Sequence, residues 1–167
     1  STGIFKITQF NDNDSKLALT DELQKIEPKE ILIPKSLIED PKPWLSNKKI
    51  FIHSWEDWTY VHGEALRSLL NHFKTQSLEG FGCESMEYAI SAAGALIHYL
   101  HETQKSALEH INSISPYYIH DYMALDQSTI TSLELIQSSE GTRKNSLLGL
   151  LDECCTPMGS RRVREWI

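Results

Sequence analysis

The chain has 167 residues, enough for one domain or for one small domain and part of another. It is 40% hydrophobic and 23% charged, which is typical of a globular protein and excludes a disordered tail. The formal net charge of −7 disfavours a protein whose main task is to bind nucleic-acid phosphates. No apolar run is long enough for a membrane helix, and no signal peptide is visible. Three cysteines, two of them adjacent, indicate a reducing compartment rather than a disulfide framework.

The first segments predict an α/β layer. Residues 3–10 alternate between apolar and polar side chains, which predicts a strand. A helix follows, capped by Asp14 or Ser15 and ended by Pro28. The apolar run 30–34 suits a buried strand, and a strand, a helix and a strand within about thirty residues favour an α/β arrangement.

The middle of the chain carries the strongest periodic signal. Residues 50–54 predict a third strand, and a helix is predicted from about residue 60 to residue 73. Residues 85–104 predict a longer helix with one apolar stripe, formed by Ala89, Ala92, Ala93, Leu96, Ile97 and Leu100. The small residues at 91–95 would let another element approach closely, and the simplest partner is the sheet of the same domain.

The pattern changes in the last third. Residues 105–119, interrupted by serines and a proline, predict a linker. Asp126 can cap a helix that carries Ile130 and Leu133 and extends toward Ile136.

The C-terminal part predicts two helices. The first covers residues 147–151, and the second begins where the hydroxyl of Thr156 precedes Pro157 at the first helical position. The apolar end of that helix, Trp166 and Ile167, predicts that the chain is part of a longer protein.

The motifs that could carry chemistry are weak. No glycine is followed by lysine, which excludes a P-loop, and residues 80–82 (GFG) match only the start of a dinucleotide fingerprint. His98 and His101 lie three residues apart, but structural zinc sites use closely spaced cysteine pairs, so we predict no metal site. Four acidic pairs, at residues 21–22, 39–40, 56–57 and 152–153, are expected to be solvated or capping charges.

One basic cluster lies close to the C-terminus, at Arg161, Arg162 and Arg164. Cations near the end of a helix are favoured by its dipole, by roughly 0.3–1 kcal/mol each. Contact with a partner or with another part of a longer chain is the alternative interpretation.

Five short motifs, in order along the chain, resemble the MutS family of DNA mismatch repair proteins. Residues 1–5 (STGIF) are similar to a Ser-Thr-Gly-Glu-Phe pattern, departing only by an isoleucine, and residues 30–34 (EILIP) to a glutamate-aliphatic-proline strand. Residues 77–104 resemble the connector helix of the family and the segment that leads into it. Residues 122–135 and 156–161 resemble the entry to its core domain. Because the five motifs occur in register, the resemblance is specific.

The resemblance implies a domain map. Residues 1–108 would be the connector domain, with a ribonuclease-H-like α/β fold that lacks its first strand or two. Residues 109–119 would be a linker, and residues 120–167 the first α-helices of the core, or lever, domain. The mismatch-reading domain and the ATPase domain would lie outside this chain. The resemblance thus implies no catalytic residue and no cofactor here, since ATP and magnesium belong to the ATPase domain.

The resemblance also implies a role and partners. The whole protein would be a cytoplasmic homodimer, away from membranes, that binds mismatched duplex DNA and ATP and recruits MutL. This portion would link the mismatch-binding domain to the levers, transmit conformational change and offer a MutL docking surface. We expect residues 89–100 to hold one packed body, residues 105–119 to be a hinge or seam, and residues 156–159 to fix the angle between two lever helices. The candidate coupling residues in these motifs are Ala93, Gly94, Asp126, Pro157, Gly159 and Arg161.

Two interpretations from other classes stay open. An active nuclease or resolvase on a ribonuclease-H-like fold would need acidic side chains on its strands to hold two metal ions. The strand at 3–10 has no carboxylate, and Glu30 lies at a strand edge. A stand-alone helical adaptor would need a sealed C-terminus, which Trp166 and Ile167 do not suggest.

Overall fold

A computed structural model describes residues 3–10, 15–39, 50–104, 108–118, 125 and 127–167. By its internal contacts the chain divides into two units, Ser1–Tyr122 and Met123–Ile167. Asp14, a predicted helix cap, and Asp126, a candidate coupling residue, lie outside the described residues. None of the described helices combines the length and the apolar composition that a membrane crossing needs.

The first unit mixes strands and helices, which confirms the predicted α/β character. Its regular elements are β1 (Lys6–Ile7), α1 (Ser15–Ile26), β2 (Glu30–Pro34), β3 (Phe51–Trp55), α2 (His62–Phe73), α3 (Glu87–Thr103) and β4 (Ser115–Pro116). Short 3₁₀ turns are found at Lys35–Leu37, Asp57–Tyr60 and Glu79–Phe81. The predicted strands at 30–34 and 50–54 and the predicted helices around α2 and α3 are thus confirmed within one or two residues at each end.

Both strand pairs in the first unit are parallel. β2 pairs with β3, with Glu30 opposite Phe51 and Pro34 opposite Trp55. β1 pairs with β4, with Lys6 opposite Ser115. β1 and β4 come from opposite ends of the unit, so their pairing brings those two ends together.

The first strand is shorter than predicted. Only Lys6–Ile7 has strand geometry, whereas the alternation predicts a strand over 3–10. Apolar alternation reports which side chains face the core, but the partner sets the length of a strand, and β4 has two residues. The Ser115 amide donates to the Phe5 carbonyl and the Tyr117 amide to the Ile7 carbonyl, each at 2.9 Å. Pro116, which has no amide proton, stands between them, as is typical of an edge strand.

The segment predicted as a linker or hinge is packed where it is described, over residues 108–118. Leu108 and Ile114 are each 2% exposed, and Ile111 packs against the core. β4 lies in the same segment. Buried side chains and a strand pair anchor this portion, which favours a packed seam over a free hinge. The serines and the proline of this segment indicate irregular backbone, but irregular backbone can also be buried. The domain boundaries themselves stay a prediction.

The core of the first unit forms around α2 and α3. Its buried residues come from both helices, from β1 and from the segments before α3 and β4, namely Ile7, Leu69, Leu78, Cys83, Met86, Ala89, Ile90, Ala93, Ile97 and Ile114. The predicted stripe on α3 is only partly confirmed. Ala92 is exposed, while Ile90, Gly94 and Ala95 are buried. α3 is therefore covered on more than one face.

The second unit contains α4 (Gln127–Ser132), α5 (Leu147–Leu151) and α6 (Pro157–Trp166). The last two confirm the predicted helices. α4 ends earlier than predicted, so Leu133 and Ile136 do not lie on it. Leu133 is 58% exposed, and Glu134 has a φ of 51°. Such a left-handed residue cannot continue an α-helix, and it turns the chain away.

Candidate functional site

The helices α2 and α3 meet backbone to backbone. Gly94 on α3 faces Ala65 on α2, and a Cβ at position 94 would lie 2.4 Å from the Ala65 Cα. No side chain fits in that space, since real Cβ contacts are never so short. The sequence predicts a close approach at residues 91–95, but toward the sheet. The structure shows that Gly94 is approached by a helix instead, because Ala65 presents a small side chain at the crossing.

Ala93, the neighbouring candidate, points into the core. It is 3% exposed and belongs to the same buried cluster as Ile7 of β1 and Leu69 of α2. Ala93 thus packs in the core cluster, while its neighbour Gly94 meets the backbone of α2 at Ala65. Together they hold α2, α3 and β1 in one packed body.

The start of α6 is built as the sequence predicts. The Thr156 hydroxyl accepts a hydrogen bond from the Gly159 amide at 3.1 Å, and Pro157 occupies the first turn. A Cβ at Gly159 would lie 3.0 Å from both Cβ and Sγ of Cys154. Gly159 therefore leaves just enough room for the chain before α6 to fold back against the helix.

Asp152 joins the pieces of this corner. Its side chain is only 3% exposed and forms an ion pair with the guanidinium group of Arg143. The Asp152 Oδ1 accepts hydrogen bonds from the Cys154 amide and from the Ser160 hydroxyl, each at 3.1 Å. One carboxylate thus ties the loop before α5, the α5–α6 connection and the first turns of α6 together.

Of the two predicted roles for residues 152–153, the solvated one is wrong for Asp152, which lies at the end of α5 and accepts hydrogen bonds from the segment that follows. Glu153 is exposed, as expected. Only one part of this arrangement is local, since aspartate in a turn readily accepts from the amide two residues on, here that of Cys154. The other partner of Asp152, Arg143, stands nine residues away and gives no such local signal.

The basic cluster contacts its own helix. The Arg161 Nε donates to the Pro157 carbonyl at 3.3 Å. The guanidinium carbon of Arg162 lies 5.7 Å from the centre of the Trp166 ring, within the range of a cation–π contact. Arg161 therefore supports the first turns of α6.

A histidine pair that the sequence did not reveal connects α2 with α3. His72 Nδ1 and His101 Nε2 are 3.2 Å apart, and His72 Nε2 lies 2.7 Å from the Ile111 carbonyl oxygen. Because a carbonyl only accepts, the His72 Nε2 donates to it, and in the neutral ring this leaves Nδ1 to accept from His101. Burial, followed by the charges of His72 and His98, lowers the pKa of His101. The two helices are far apart in sequence, so spacing could not predict this pair.

The histidine pair opens onto a surface groove of about 790 Å³ between α2, α3 and residues 108–112. His98, on the groove wall, accepts a hydrogen bond from the Trp55 Nε1 at 3.3 Å. The ring of Trp58 meets His98 edge to face at 4.9 Å. His98 is therefore held by two tryptophans and does not lie in solvent beside the helix.

The chain matches two family descriptions. "MutS domain II" covers residues 1–112, and "MutS domain III" covers residues 128–167.

Curated relatives named "DNA mismatch repair protein MutS" match over the full length of this chain. The protein from Halothermothrix orenii is 44% identical, that from Alkaliphilus metalliredigens 42% and that from Symbiobacterium thermophilum 39%. The chain spans 19–20% of the length of these three relatives.

Proposed function

The chain belongs to the MutS family and carries its domains II and III, and from this premise we propose that it is a connecting portion without catalytic groups of its own. It links a mismatch-binding domain to the levers and the ATPase domain of a longer protein. Its task is mechanical, since it passes conformational change from one end to the other.

The observation that carries this proposal is the contact of Gly94 with Ala65. Packed interiors move as bodies because they resist continuous deformation. At the Gly94–Ala65 crossing the two helices have no layer of side chains between their backbones. A displacement applied to α2 is therefore passed to α3 and, through Ala93, to the core behind it.

The corner around Asp152 supports the same role in the second unit. A lever keeps its direction only if the angle between its helices is fixed. Asp152 and the Thr156 cap fix that angle with an ion pair and three hydrogen bonds. These contacts are directional, unlike apolar packing, so they define one geometry.

We also propose a fold and boundaries. The connector has the ribonuclease-H-like fold, which the parallel strand pairs flanked by helices support. Since residues 108–118 pack into the first unit, the connector extends past residue 108 to β4. The lever helices then belong to residues 120–167.

The partners follow from the family. The whole protein binds mismatched duplex DNA and ATP with magnesium as a homodimer in the cytoplasm, and this portion offers a docking surface to MutL. The names of the relatives support the repair role. The net charge of −7 supports a division of labour in which other domains bind most of the DNA.

A chimera tests the proposal. This chain replaces the matching segment of the Halothermothrix orenii relative, and the chimera is expressed in cells without their own mismatch repair. We expect the chimera to lower the mutation rate, and the chimera with Gly94→Leu to lose that effect while the purified protein still binds mismatched DNA. The matched control is Gly63→Leu, because a Cβ at Gly63 meets nothing within 4 Å.

Two results would contradict the proposal. One is a Gly94→Leu chimera that repairs as well as the Gly63→Leu chimera. The other is nucleotide hydrolysis or DNA cleavage by the purified 167-residue chain, since this portion would then carry chemistry of its own.

A further inference from the structure

The histidine pair between α2 and α3 has the spacing of two ligands on one metal ion. Two nitrogens bound at about 2.0–2.1 Å to a tetrahedral zinc ion lie roughly 3.4 Å apart. The His72 Nδ1 and the His101 Nε2 are 3.2 Å apart. An ion can therefore enter between the two rings after a small outward movement of their side chains.

The far side of His72 supports the same conclusion. Histidine ligands usually donate their other ring N–H to a carbonyl or a carboxylate, which fixes the tautomer and the ring orientation. The His72 Nε2 makes this contact with the Ile111 carbonyl at 2.7 Å. The lone pair of Nδ1 is thereby directed toward His101 before any ion arrives.

We propose that His72 and His101 form an exchangeable site for Zn²⁺ or a similar divalent transition metal, with water in the remaining positions. Among the described residues no group of three or more His, Cys, Asp or Glu side chains is arranged around one ion, so water completes the coordination. His98 stays outside the site because its Nδ1 accepts from Trp55. The groove leaves room for the waters.

Binding requires one change of tautomer. In the metal-free pair the His101 Nε2 carries the proton that it donates to His72. When the ion binds, this proton leaves Nε2 and another is taken up at Nδ1. The total number of protons on the neutral His101 ring therefore stays the same.

The charges around the groove are mixed. Glu64 and Glu109 attract a cation, although Glu64 is paired with Arg67 at 3.2 Å. Lys74, on the same groove, opposes them. With two protein ligands, the site binds more weakly than a structural zinc site with four.

The test is a titration of the 167-residue chain with ZnCl₂, followed by calorimetry. We expect one ion per chain, and at least a tenfold weaker association constant in His72→Ala and in His101→Ala. The matched control is His62→Ala. His62 lies on the same helix as His72, and its Nδ1 is 3.4 Å from the Glu87 carbonyl oxygen. This variant should bind as the unchanged chain does.

Ring ¹⁵N resonances of the unchanged chain give a second measurement that does not depend on variants folding. Zinc should shift the His72 Nδ1 and the His101 Nε2 and convert His101 to the Nδ1–H tautomer. Zinc binding that leaves these two resonances in place would overturn the proposal. So would variants at positions 72 and 101 that stay folded and bind like His62→Ala.

Discussion

A Cβ placed on Gly94 would sit 2.3 Å from the carbonyl oxygen of Ala65, an atom of the neighbouring helix that has no freedom to rotate away. Position 94 therefore requires glycine for the packing of α2 on α3. The requirement comes from the partner's backbone, since Gly94 lies in a helix and not at a positive φ.

We expect Gly94→Ala to destabilise the first unit by about 3 kcal/mol, the upper range for overpacking a core, because α2 and α3 must separate. Urea unfolding followed by circular dichroism measures the loss. Gly63→Ala is the control, since its Cβ meets open space and alanine favours a helix. Equal stabilities of the two variants would contradict the close backbone contact between Gly94 and Ala65.

The elements that sequence predicted well are those fixed by neighbours in the chain. The start of α6 follows from Thr156 and Pro157 alone, and the helical period of 85–104 locates α3. In the candidate site, the requirement for a small residue near Gly94 could be predicted from the run at 91–95, but its partner could not.

What sequence missed depends on residues that meet only after folding. Asp152 is buried because Arg143 reaches it, and Ile114 is buried because β4 returns to β1. His72 and His101 are brought together by the packing of α2 on α3. Local spacing does not predict which residues pair in this way, because the sequence contains several other residues of the same types.

Asp152→Ala should weaken the α5–α6 corner by about 2 kcal/mol. The change removes an ion pair and two hydrogen bonds, but Arg143 is 49% exposed and can turn to water, which reduces the cost. Hydrogen exchange of the α6 amides measures the effect. Glu153→Ala, at the exposed neighbour, should leave exchange unchanged, and similar exchange in both variants would rule out the role of Asp152.

The phenol of Tyr60 should make stability fall at high pH. Burial, followed by the charge of Asp57, raises the pKa of Tyr60 to about 12. An unfolded tyrosine ionises near pH 10, so from about pH 10 to about 12 the unfolded chain releases the proton first. The free energy of unfolding therefore decreases as pH rises through this window.

Tyr60→Phe should reduce that decrease, measured as the difference between urea midpoints at neutral pH and near pH 11. At neutral pH this variant should lose little free energy of unfolding. The reason is that the Tyr60 Oη is buried without a hydrogen-bond partner in the part of the chain that the structure describes. Tyr117, whose pKa is raised by burial and by Glu22, keeps part of the effect. Tyr88→Phe is the control because Tyr88 is 75% exposed, and an equal change in both variants would refute the assignment.

The cap of α6 can be separated from the rest of the corner. Thr156→Ala removes the acceptor for the Gly159 amide and should cost about 1 kcal/mol of helix stability. Thr156→Asp should preserve most of it, because a carboxylate also accepts that hydrogen bond and is favoured at a helix N-terminus. Exchange of the α6 amides, with α3 as the internal reference, distinguishes the two. If the α6 amides exchange equally slowly in Thr156→Ala and Thr156→Asp, the Thr156 hydroxyl does not set the start of this helix. Pro157 and the contacts of Asp152 would then set it.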